Sequence, residues 1–151
     1  MTVRSLQHIA LTVPDAEAGR KFFSAFGLAA RDEAKRIVMR CVGRDQDQIM
    51  LVEGPKKRLH HLCFGARAEM LVAIETRLKA NGTALVDAPR ETPGDGLWFR
   101  DPDGVLLNVR VAEAQPYAGA PEWKINQPGH LNRIGVPGHP PRDLQIHPRR
   151  L

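Results

Sequence analysis

The chain has 151 residues, a net charge of +5 and two cysteines. A chain of this length can bury about 68–70% of its unfolded surface, so it needs neither disulfides nor a structural metal to fold. No apolar run approaches a membrane span, the opening MTVRSLQHIA lacks the apolar region of a signal peptide, and Cys41 and Cys63 have no zinc-ribbon spacing. The expected setting is cytoplasmic, with reduced thiols. The basic residues are scattered in short clusters such as Lys56–Arg58 and Arg149–Arg150, and aromatics make up only 5%. That pattern reads as solvated surface rather than a nucleic-acid face.

The first predicted element is a strand over Leu6–Val13 (LQHIALTV). Strand alternation puts Ile9, Leu11 and Val13 on one face and His8, Ala10 and Thr12 on the other. A helix follows in VPDAEAGRKFFSAFG, with Asp15 as N-cap, Gly27 as C-cap and Phe22, Phe23 and Phe26 as its apolar face. Short strands come next, notably KRIVMRCV (35–42) and QIMLV (48–52).

At Leu59 the pattern starts again. LHHLCFG repeats the His-bearing strand, with His60, Leu62 and Phe64 on one face and His61, Cys63 and Gly65 on the other. A helix near Ala68–Ala80 carries Met70, Ile74 and Leu78 at i, i+4 and i+8 and stops at Asn81-Gly82. Strands are expected near 83–86, 97–100 and 105–111, the last two joined by a tight DPDG turn, Asp101–Gly104. The order is βαβββ, twice, an internal repeat. A lone unit leaves one sheet face bare; pairing two can bury it. The small, partly polar face of each first strand (Ala10, Thr12, Cys63, Gly65) suits a cavity better than a filled core. His8 and His61 stand at matching places on that face, whereas His60 reads as a packing or edge residue.

Beyond about residue 112 periodicity fades, and seven of the twelve prolines lie from Pro116 onward. This stretch reads as an extended arm or linker, with Trp123 and Ile125 as natural anchors.

The paired units, HIAL and HLCF at their openings, and DPDG before a final apolar strand resemble the vicinal oxygen chelate superfamily. It takes in glyoxalase I, bleomycin resistance proteins, fosfomycin resistance transferases and extradiol ring-cleaving dioxygenases. The resemblance covers residues 3–112. It implies an α+β fold in which two βαβββ modules (about 3–54 and 57–112) form one curved mixed sheet, an open barrel around a cavity. Residues 1–112 would be that domain and 113–151 the extended Pro-rich arm. In metal-dependent members two histidines and a glutamate hold a divalent ion and leave positions open for substrate. His8 and His61 match the imidazoles. The glutamate position, four residues after the Gly of DPDG, is Asn108 here, a weak or vestigial ligand; Glu53 is the candidate substitute. Where extradiol dioxygenases carry a tyrosine and a further histidine beside the substrate, this chain has Trp98 and Gln46. With Ala10, Thr12 and Cys63 these would line the cavity.

These departures imply either no metal or a weakly bound Fe(II), Mn(II) or Zn(II). The chain is most like the non-catalytic N-terminal half of a two-domain extradiol dioxygenase, a fragment or a shortened gene product. Its partner would be a second, catalytic domain, or another copy held through the arm as a dimer. Two alternatives remain open. One is a stand-alone metal enzyme, glyoxalase-like or fosfomycin-transferase-like. The other is a metal-free protein of the bleomycin-resistance type that binds a small aromatic or anionic ligand.

Overall fold

The structure is a computed structural model and describes residues 3–113. Its elements are β1 (Val3–Val13), α1 (Ala16–Ala25), β2 (Leu28–Glu33), β3 (Arg36–Cys41), β4 (Ile49–Glu53), β5 (Arg58–Ala66), α2 (Ala68–Ala80), β6 (Leu97–Arg100) and β7 (Leu106–Val111). The predicted arm, with Trp123 and Ile125, lies outside the described residues. No helix among the described residues is long and apolar enough to cross a membrane.

Local chemistry sets the first module as expected. The Asp15 carboxylate accepts a hydrogen bond from the Ala18 N–H at 2.9 Å, satisfying one orphan donor of α1. The helix ends at Gly27, whose φ of 87° belongs to the left-handed region that a Cβ disfavours, and its N–H donates to Ser24 O at 2.9 Å. The sequence did not single out β2, because LAARDE lacks β-branched and aromatic residues. It forms because a two-residue turn at Ala34-Lys35 folds it back on β3, with every residue from Leu28 to Glu33 paired.

All seven strands belong to one mixed sheet, ordered β2-β3-β4-β1-β5-β7-β6. The modules meet along the antiparallel β1–β5 seam. On one side β4 runs parallel to β1; on the other β7 runs parallel to β5. The internal repeat thus becomes a pseudo-symmetric sheet. The second module is one strand short. The predicted strand at 83–86 is a single bridge, Leu85 to Phe99, with the Val86 N–H donating to Trp98 O at 2.8 Å. Pro89 and Pro93 offer no N–H, so the ladder ends and the chain turns into a loop over 87–96. The DPDG turn forms as predicted, closed by Gly104 N–H to Asp101 O at 3.0 Å and by Val105 N–H to the Asp101 carboxylate at 2.8 Å.

The two faces divide the core. Ala16, Ile37, Met39 and Leu51 are buried under α1, with Leu11, Val13 and Phe23 packed against them. Ala10, Val38, Met50 and Val52 form a second cluster on the opposite face. That face was expected to be open, yet His8, Ala10, Thr12, His61, Cys63 and Asn108 are all buried on it. The ends of the sheet approach one another over it: Arg36 Nη1 on β3 donates to Glu91 O in the 87–96 loop at 2.7 Å. A second expectation is corrected at α1. Phe23 packs inward, but Phe22 and Phe26 are 58% and 71% exposed and lie tilted against each other with centroids 5.0 Å apart. Residues 22 and 26 share one stripe of the helix, and residue 23 lies about 100° round from residue 22.

Candidate functional site

Two interruptions of the β1–β5 ladder place the histidines. Leu6 pairs with Phe64 and His8 with Cys63, so Gln7 is an extra residue on β1; Ala10 pairs with His61 and Leu11 with Leu59, so His60 is an extra residue on β5. A bulge spoils strict alternation and re-aims a side chain. Gln7 and His8 are accordingly both buried although adjacent. His60, expected on the packing face, turns its ring toward its neighbour, with Nδ1 2.7 Å from His61 Nδ1.

The result is a chain of three imidazoles. His8 Nε2 lies 3.0 Å from His61 Nε2, the rings edge to face with centroids 5.1 Å apart. Trp98 packs edge to face on the other flank of His61 at 5.0 Å. Burial lowers the His8 pKa to about 4, helped by the charge of Arg110. Burial, then His8 and His60, lowers that of His61 to about 3. Both rings are therefore neutral at pH 7. A neutral imidazole has one N–H, so His61 donates in one of its two contacts and accepts in the other.

Asn108 sits on β7 opposite Cys63 on β5 and Trp98 on β6. Its Nδ2 donates to Asp95 O at 2.9 Å and Leu97 O at 3.4 Å. Carbonyls only accept, which fixes the amide orientation and leaves Oδ1 to accept from the Cys63 thiol at 3.0 Å. Burial raises the Cys63 pKa to about 11, so it remains a thiol donor. Trp98 Nε1 donates to the same Asp95 carbonyl at 3.1 Å. That carbonyl was not foreseeable from side-chain motifs.

Gln46 Nε2 donates to the backbone oxygens of Leu6 and Gln7 and so braces the β1 bulge. With His8, Arg36, Met50, Pro93 and Arg110 it lines a cavity of about 460 Å³. Ala10, Thr12, Cys63 and Trp98, expected to line a cavity, are packed into the sheet and stand outside that lining. The buried Thr12 hydroxyl has no hydrogen-bond partner among the described residues. Glu53 is exposed at the end of β4, level with Val13. It alternates with Met50 and Val52, so it points to the α1 face, where it lines a separate cleft with Arg20 and Lys35. The structure does not bring it to the imidazoles.

The donor set meets only part of what a divalent metal needs. Two cis ligands about 2.1 Å from an ion are about 3.0 Å apart, so the His8–His61 spacing suits a shared ion. The third ligand does not fit. Asn108 has spent both amide groups on Asp95, Leu97 and Cys63, and no group of three His, Cys, Asp or Glu side chains among the described residues could hold an ion.

The model of the glyoxalase/bleomycin resistance protein/dioxygenase superfamily matches residues 5–109. Metapyrocatechase 2 of Cupriavidus necator is 34% identical over an alignment 155 residues long, gaps included, that covers 99% of this chain and 46% of that protein. The chain thus spans about half the length of the curated relative it matches. Among solved structures, the Mn(II)-bound glyoxalase from Novosphingobium aromaticivorans superposes with a TM-score of 0.66 at 22% identity, covering 81% of this chain and 44% of that one. The 2,3-dioxygenase LapB from Pseudomonas sp. KL28 gives a TM-score of 0.64 at 22% identity, covering 78% and 43%. Identities this low speak for the fold, and the family match agrees with it: the chain belongs to the glyoxalase/bleomycin resistance protein/dioxygenase superfamily.

Proposed function

We propose that this chain is the non-catalytic N-terminal half of an extradiol, catechol-type ring-cleavage dioxygenase. The observation that carries the reading is Asn108. It stands where the family's carboxylate ligand is expected, and its amide is fully engaged by Asp95, Leu97 and Cys63. The spans of 99% of this chain and 46% of Metapyrocatechase 2 support one half of a longer two-domain protein. In this role the module contributes a packing surface to an iron-bearing second domain and does no chemistry itself.

A second reading is a stand-alone metal enzyme using His8 and His61, favoured by their 3.0 Å Nε2 separation. Metal analysis of chelator-free purified protein, followed by a catechol ring-cleavage assay, separates the two. The proposed role expects far less than one Fe, Mn or Zn per chain and no cleavage. One tightly held ion per chain, or turnover of catechol by this chain alone, would overturn it.

A further inference from the structure

We infer that Asn108 is the buckle of a hydrogen-bonded clasp that fastens the 87–96 loop across β5, β6 and β7, and that this clasp has taken the place of the third metal ligand. The inference deepens the proposed non-catalytic role and rests on it. Four groups converge on one point. The Asp95 carbonyl accepts from both Asn108 Nδ2 and Trp98 Nε1, and Leu97 O takes the other amide N–H. The Cys63 thiol completes the set by donating to Asn108 Oδ1. Asn108 and Cys63 are 2% and 0% exposed, so water does not compete.

The backbone is shaped to deliver that carbonyl. Gly96 has φ +81°, and a Cβ there would collide with the Val109 carbonyl oxygen and with Arg110. Only glycine lets the loop approach β7 closely enough to present Asp95 O to the amide. Asn is the matching residue because the site offers two acceptors on one side and a donor on the other. A carboxylate at 108 would face two carbonyl oxygens with lone pairs of its own. Restoring the family's acid at this one position therefore breaks the clasp instead of rebuilding a metal centre.

The test uses the full chain and the variants Asn108→Asp, Asn108→Glu, Cys63→Ala and Cys63→Ser. Readouts are the urea midpoint, the native-state rate of tryptic cleavage at the exposed Arg90 within the loop, and uptake of Fe(II), Mn(II) or Zn(II) supplied alone. An unsatisfied buried group lowers the folded-to-unfolded ratio by about 10- to 100-fold. Losses in that range are expected for Asn108→Asp and Asn108→Glu, with faster cleavage at Arg90 and no stoichiometric metal. Should either fail to fold, Cys63→Ala carries the test. It should speed cleavage at Arg90, while Cys63→Ser, which keeps a donor, stays near wild type. Wild-type cleavage and midpoint in both Asn108 variants, or one ion per chain gained by Asn108→Glu with a raised midpoint, would overturn the clasp. So would identical behaviour of the two Cys63 variants. Metal or ring cleavage in the wild type would instead sink the non-catalytic role, so the two failures are told apart.

Discussion

Acid should destabilise this fold through its imidazole pair, well before carboxylates titrate. His8 and His61 have folded pKa values of about 4 and about 3, against an ordinary 6.5. The sign follows from proton uptake. Between pH 6.5 and 4 the unfolded chain binds protons that the folded chain refuses, so stability rises with pH. The contribution is fully present above pH 6.5 and is lost as pH falls through that window. At pH 5 the solution lies about 1.5 units below the unfolded pKa, so each ring costs about 2 kcal/mol, or up to about 4 kcal/mol for both. With a slope near 1.5 kcal/mol per molar urea, the midpoint should drop by roughly 1–3 M between pH 7.5 and 5.0. The measurement is urea unfolding followed by far-UV circular dichroism in a chelating buffer, on wild type and a His8→Gln/His61→Gln double variant. The double variant should lose much less on acidification. Superimposable wild-type curves at the two pH values, or an equal loss in the double variant, would refute the reasoning.

Two other outcomes are expected. Asp15→Ala removes the cap of α1 and should cost about 1 kcal/mol, read as a lower thermal midpoint; an unchanged midpoint would mean that the Ala18 N–H finds another acceptor. Thiol labelling of native protein should modify the partly exposed Cys41 quickly and the fully buried Cys63 only through opening of the structure. Simultaneous labelling of both would contradict the buried, high-pKa thiol that the Asn108 contact requires.

Elements whose causes are local were legible in the chain. Asp15 and Gly27 bound α1 because capping needs only a side-chain oxygen and a left-handed φ within a few residues. DPDG closes its own turn. The repeat of LQHIALT in LHHLCFG predicted that β1 and β5 play matching parts, and they meet as the seam of the sheet. The replacement of the expected glutamate by Asn108 was also visible, because its place is counted from a turn. Other features depend on partners distant in the chain. LAARDE becomes β2 only because β3 folds onto it, and 83–86 falls short of a strand because its neighbours draw the loop away.

The sequence by itself determined the modules and the identity of the residue at the ligand position, since a repeated pattern and turn chemistry are properties of short segments. The tertiary structure alone decided three things. Bulges at Gln7 and His60 turned adjacent side chains to one side and linked His60 to His61. The pairing of β4 beside β1 put Met50 and Val52 on the imidazole face and so sent Glu53 to the opposite one. And the Asp95 carbonyl, a backbone atom that every residue carries, came to occupy Asn108 because the loop of the second module closes over its own sheet. Ladder register and loop closure balance contacts across the whole sheet, and no local pattern encodes that balance.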